Sequence, residues 1–248
     1  MLTRPFPLPL FDALETMMRL SILIYDGLTT LDAIGGYEIL ARLPGMETEF
    51  VAQRRGIIAA DTRCLGLVAF REFSEVTATD ILYVPGGPGG FALETDEIFL
   101  DTIRRLDKTS TWTVGICNGV GLLAAAGLLK GLKATTNWFY QDRLRAYGTE
   151  FVAERYHRDG KYVTGAGVSA SIDAGLFLTS LIAGEQVAKT LQLGIEYYPA
   201  PPFPERRPQD VAVEIQDRIR RFESEGGRKQ LAQEPAFKDM FQLAHRSE

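Results

Sequence analysis

The sequence predicts an α/β domain: a mostly parallel sheet with helices packed on both faces. Two observations lead there. From Leu20 onward, short β-rich runs alternate with helix-length segments, the signature of βαβ units, and parallel sheets built that way are covered on both sides. The chain has 248 residues, 46% of them hydrophobic, enough for one large core with short extensions.

The elements follow in order. Ser21–Tyr25 reads as a buried strand turned by Asp26-Gly27, and Leu31 to Leu43 as a helix stopped by Pro44-Gly45. Thr48–Gln53 is a second strand, and Cys64–Phe70 belongs to a hairpin or an edge strand. Asp80–Val84 is a short apolar strand running straight into Pro85-Gly86-Gly87-Pro88-Gly89-Gly90. Glu94–Leu106 is helical, Trp112–Ile116 is a central strand, and Gly119–Leu129 is a helix of small and apolar residues suited to lie on a sheet. Lys133–Thr136 is expected as strand and Phe139–Tyr147 as helix. Glu150–Arg155 and Tyr162–Thr164 are expected to pair around the turn Arg158-Asp159-Gly160. Ser169–Ile182 and Glu185–Tyr197 complete the domain as two helices.

Residues 1–19 read as an N-terminal extension, 20–203 as the domain, and 204–248 as a helical tail packing on the domain or on a dimer partner. Pro5, Pro7 and Pro9 interrupt the apolar start, and Asp12 and Glu15 follow, so it does not resemble a secretory signal. In the tail, Val211–Glu223 and Pro235–Ala244 are expected as helices. No apolar run reaches the roughly 18–20 residues of a membrane span. A net charge of −5 gives no surface for nucleic acid. Two cysteines, Cys64 and Cys117, make neither a disulfide framework nor a CxxC metal signature, and a cytoplasmic setting is the simplest reading.

Gly115-Ile116-Cys117-Asn118-Gly119 has the form of a nucleophile elbow with cysteine in the serine position. The turn from strand to helix is sharp, and glycines leave the room it needs. The sulfur then lies at a helix N-terminus, whose partial positive charge favours thiolate. Cys117 is therefore expected to be an exposed nucleophile, whereas Cys64, with no such context, is expected in the core. A histidine partner is poorly supported, because His157 follows a strand at a turn, His245 is close to the end, and both are expected at the surface.

Asp32 is the better partner. It follows the first strand's carboxyl end, on the rim where Cys117 emerges, and Leu31, Ala33 and Ile34 keep its surroundings partly dry. Desolvation and a nearby thiolate would both raise its pKa towards the range of a general acid or base. A helix N-cap is an equally good reading of the same residue. The loop from Pro85 to Gly90 reaches that rim too, where its backbone N–H groups could form an oxyanion hole or simply a tight turn. It lacks the Lys-Ser/Thr ending of a phosphate loop, and no G-x-G-x-x-G follows the first strand, which disfavours nucleotides.

From Leu20 to Phe203 the chain resembles the DJ-1/PfpI superfamily, and within it the isocyanide hydratase branch. The resemblance is carried by Thr30-Leu31-Asp32, Val84-Pro85-Gly86-Gly87, Ile116-Cys117, Ala125-Ala126-Gly127-Leu128-Leu129 and Ala134-Thr135-Thr136. Thr164-Gly165-Ala166-Gly167 with Ile172-Asp173, and Tyr198-Pro199-Ala200-Pro201-Pro202-Phe203, add to it. It implies a flavodoxin-like sheet, a homodimer, no metal or organic cofactor, and hydration of an isocyanide to an N-substituted formamide. Carried onto this chain, Cys117 attacks the isocyanide carbon to give a thioimidate. Asp32 supplies a proton and then helps activate water, Asn118 is carried over as a third catalytic residue, and backbone N–H groups near Gly87 and Asn118 orient the site. The superfamily also implies two alternatives, a non-catalytic or redox-sensing protein and a glyoxalase-like activity on small aldehydes. Three positions depart from the branch: Asn118 replaces a threonine, Asn137 a histidine, and Ile34-Gly35-Gly36 a Thr-Gly-Pro.

Overall fold

The computed structural model describes residues 17–203 and 207–221. Strand β1 (Met18–Leu23) begins two residues before the domain boundary expected at Leu20, because Met18 and Arg19 continue its parallel register against Met46 and Glu47 of β2 (Met46–Ala52). Between them runs α1 (Thr30–Leu40). The segment Cys64–Phe70 lies in a separate antiparallel hairpin of β3 (Gly56–Ala59) and β4 (Gly66–Ala69). This hairpin is a sheet of its own that lies against β2 and puts Ile58 and Ala69 into the core, with Phe70, Leu65 and Val68 in solvent, and Cys64 is exposed at its turn, not in the core. The chain returns through β5 (Arg71–Glu72) to pair with β2.

Strand β6 (Ile81–Val84), buried throughout, leads through the glycine loop to α2 (Gly90–Leu93) and α3 (Glu97–Asp107). Helix α3 starts later than expected, since the Asp96 carboxylate accepts the N–H groups of Ile98 and Phe99 and caps it there. Strand β7 (Trp112–Ile116) feeds α4 (Gly119–Ala125), which stops at Ala125 as the chain reverses at Gly127, φ +82°. Strands β8 (Lys133–Ala134) and β9 (Glu150–Phe151) pair with each other, with α5 (Gln141–Ala146) between them. The expected pairing of Glu150–Arg155 is therefore corrected. The strand that turns at Gly160 and pairs with β11 (Tyr162–Gly165) is β10 (Tyr156–Asp159). Helices α6 (Ala170–Ala183), α7 (Glu185–Gly194) and α8 (Val213–Arg221) follow. The expected helix at Pro235–Ala244 lies outside the described residues.

The main sheet has the order β10-β11-β7-β6-β1-β2-β5, parallel except for β10. Helix α1 packs on α6, and α3 on α4, so the sheet is sandwiched as an α/β fold. Strands β1, β6 and β7 are adjacent at its centre, and their carboxyl ends deliver the Asp32 helix, the glycine loop and Cys117 to one place. No helix among the described residues is long and apolar enough to cross a membrane. From α8, the Arg220 guanidinium lies 4.8 Å over the Trp138 ring of the domain.

Candidate active site

Cys117 occupies a left-handed backbone position, φ +56°, which a non-glycine residue adopts only where its surroundings hold it. Its N–H donates to the Gly165 carbonyl at the end of β11, 3.0 Å, and its own carbonyl accepts the Thr136 hydroxyl, 2.6 Å. The turn needs glycine at Gly119 for space, since a Cβ there would come 2.3 Å from the Val84 carbonyl. The elbow is thus formed as its sequence indicates, but the cysteine is not exposed. It is 5% accessible, enclosed by Asp32, Asn137 and the strand ends.

Asp32 is fully buried and is not the cap of its helix. The N-cap is Thr29, whose hydroxyl donates to Asp61, 2.6 Å. The Asp32 carboxyl instead crosses to the glycine loop, where Oδ2 accepts the Gly86 N–H, 2.8 Å. Gly86 has to be glycine, because a Cβ there would meet both the Asp32 carboxyl and the Asn118 amide. The Asp32 backbone is pinned as well, its carbonyl accepting the Tyr83 hydroxyl at 2.7 Å. Burial pushes the carboxyl from 3.8 up to about 7. The Gly86 N–H draws it down, the Asp61 charge pushes it up, and contact with the Cys117 side chain draws it down. Burial thus raises the Asp32 pKa as expected, whereas the Cys117 contact lowers it, where a nearby thiolate was expected to raise it.

Asn118 is buried, and both ends of its amide are used on Gly87: Oδ1 accepts the Gly87 N–H, 2.6 Å, and Nδ2 donates to the Gly87 carbonyl, 2.8 Å. This clamp corrects two expectations. The Gly87 N–H is engaged and does not face the sulfur as an oxyanion donor, and the Asn118 side chain positions a loop without reaching the chemistry. The Asn118 backbone N–H, by contrast, donates to none of the described residues, and this is the donor the elbow offers.

Asn137, noted in the sequence only as a departure, is the side chain that reaches the nucleophile. Its Nδ2 donates to the Cys117 sulfur at 3.5 Å, so the amide supports negative charge there. Tyr25 closes another side, its hydroxyl donating to the Pro85 carbonyl, 2.9 Å. Burial, then the charges of Asp32 and Cys117, push the Tyr25 pKa well above its usual value, which keeps the phenol neutral. His157 sits on β10 beside Glu154, 2.8 Å, and is not brought to the site. His245 lies outside the described residues. Among the described residues there is no group of three or more His, Cys, Asp or Glu that could hold a metal ion.

Fold and site together define a class: a parallel α/β protein with a cysteine on its strand-to-helix elbow and a buried, easily protonated carboxyl beside the sulfur. The chain belongs to the DJ-1/PfpI family, whose model matches residues 18–181. It is 35% identical over 204 residues to the isonitrile hydratase of Pseudomonas putida, covering 82% of this chain and 89% of that protein. The crystal structure of a ThiJ/PfpI family protein from Pseudomonas syringae superposes with a TM-score of 0.80 at 29% identity, over 88% of this chain and 91% of the other. Drosophila melanogaster DJ-1beta shares the fold, with a TM-score of 0.66 at 17% identity over 73% and 99% of the two chains.

Proposed function

We propose that the protein is an isocyanide hydratase, adding water to R–NC to give R–NH–CHO. The observation that carries the reading is the pairing of the elbow cysteine with a buried carboxyl that titrates at about 7. The 35% identity to an isonitrile hydratase supports the substrate class. In the first half-reaction the Cys117 thiol gives its proton to the Asp32 carboxylate. Asp32 passes that proton to the terminal isocyanide carbon, and the sulfur bonds to the same carbon, leaving R–N=CH–S–Cys117. The Asn137 amide supports the sulfur while it is anionic, and the Asn118 N–H faces charge that develops at the elbow. In the second half-reaction Asp32 takes a proton from water as it adds to the thioimidate carbon.

The same reading takes the working form to be a cytoplasmic homodimer that uses no cofactor, as the family resemblance implies. Residues 204–248 are read as its tail, with the Arg220–Trp138 contact in support. The test is to mix the protein with an alkyl isocyanide and follow formamide by NMR. Wild type should form it and Cys117→Ala should not; equal silence, or equal turnover, would end the reading.

A further inference from the structure

Two buried oxygens belong to side chains that contact the Cys117 sulfur's surroundings, and neither has a hydrogen-bond donor among the described residues: Oδ1 of Asp32 and Oδ1 of Asn137. Buried acceptors are nearly always satisfied, so a pair of exceptions around one sulfur marks a place made for donors from outside the protein. Asn137 is held firmly. Its carbonyl accepts the Tyr140 N–H, 2.8 Å, and the two preceding hydroxyls are anchored, Thr135 on the Glu154 carbonyl and Thr136 on the Cys117 carbonyl. With Nδ2 committed to the sulfur, Oδ1 is the buried, unpartnered end of a residue only 9% accessible.

We infer that Asn137 and Asp32 together hold the water that releases the product. Water brings two O–H donors, and these two acceptors flank the atom to which the reacting carbon is bonded. The inference rests on the hydratase reading. Asp32 accepts the proton that leaves the water, and Asn137 Oδ1 accepts the O–H that stays. As the water oxygen bonds to carbon, the C=N pair moves to nitrogen, which takes the proton back from Asp32 to give R–NH–CH(OH)–S–Cys117. The C–S bond then breaks with its pair on sulfur, the retained O–H proton passes to Asp32, and R–NH–CHO departs. Asn137 thus serves each half-reaction with a different atom, Nδ2 for thiolate and Oδ1 for water.

Rapid-quench intact mass measurement with an alkyl isocyanide separates those atoms, because it gives the rates of adduct formation and adduct loss independently. Asn137→Leu removes both ends of the amide in a similar volume, so adduct formation should slow, and the Cys117 adduct once formed should persist, its loss slowed about 10- to 100-fold. Asn137→Asp keeps an acceptor and removes the donor. It should slow adduct formation and leave adduct loss within about threefold of wild type, and it carries the test if the leucine variant does not fold. Adduct loss at the wild-type rate in Asn137→Leu, or slowed equally in Asn137→Asp, overturns the role for Oδ1. Wild-type protein that forms neither adduct nor formamide refutes the hydratase reading itself, and the inference falls with it.

Discussion

Replacing Asp32 with asparagine should make the protein's stability less dependent on pH, by an amount the burial of that carboxyl sets. Its pKa is about 7 in the fold against 3.8 in an open chain, so ionising it inside the protein costs about 4 kcal/mol. The sign follows from proton uptake. Below 3.8 the group is neutral in both states and carries no penalty. As pH rises the unfolded chain ionises first, so stability is lost progressively until about 7 and is constant above it. Asparagine can still accept the Gly86 N–H and never ionises. Between pH 5 and 9, the stability of Asp32→Asn relative to wild type should therefore rise by about 2–3 kcal/mol, read from urea unfolding at both pH values. A difference that stays constant to within about 0.5 kcal/mol would refute the placement of a raised carboxyl pKa at Asp32.

Further outcomes follow from the same geometry. The rate of isocyanide turnover at low substrate should fall as pH drops below about 7, because the reaction needs one proton shared by Cys117 and Asp32 and a second blocks it. A profile flat from pH 5 to 8 would contradict that. Asn118→Ala leaves the Gly87 N–H without a partner and its carbonyl with only the Gly90 N–H, and should cost about 1–3 kcal/mol in chemical unfolding, with loss of activity through the displaced loop. Gly119→Ala forces a methyl group to within 2.3 Å of the Val84 carbonyl and should lower stability by about 1–3 kcal/mol or more, measured by thermal unfolding.

The elbow was legible because its requirements are local: a strand of apolar residues, a glycine on each side of the cysteine, and a small-residue helix directly after. Asp32 could be placed on the right rim by the same strand-end logic, but whether it capped α1 or faced the cysteine could not be read. That choice depends on Gly86, some fifty residues away, offering its N–H and leaving no side chain in the way. The role of Asn118 was hidden for a similar reason. A residue after a nucleophile looks like part of the chemistry, yet its amide matches both backbone groups of Gly87 and turns to that loop. Asn137 was visible only as a departure from a family histidine, and the signal that could have raised it is its position directly after Thr135-Thr136, one of which fastens the elbow. Cys64 was not legible because an apolar run reads as core strand, whereas here the cysteine falls in the exposed turn before β4 and only part of the run is buried. The turn at Gly160 was legible, but the start of β10 at Tyr156 was not, because Glu150 and Phe151 are taken by a distant partner, β8, which nothing local announces.

The central claim is that Cys117 carries the substrate covalently. Wild-type protein quenched with acid during turnover of an alkyl isocyanide, then digested and mapped by mass, tests it most directly. The account predicts a mass increase equal to the intact isocyanide on the peptide containing Cys117, absent from Cys117→Ala and persistent in Asn137→Leu. Formamide produced with that peptide unmodified at every quench time, in the variants as in wild type, would contradict it.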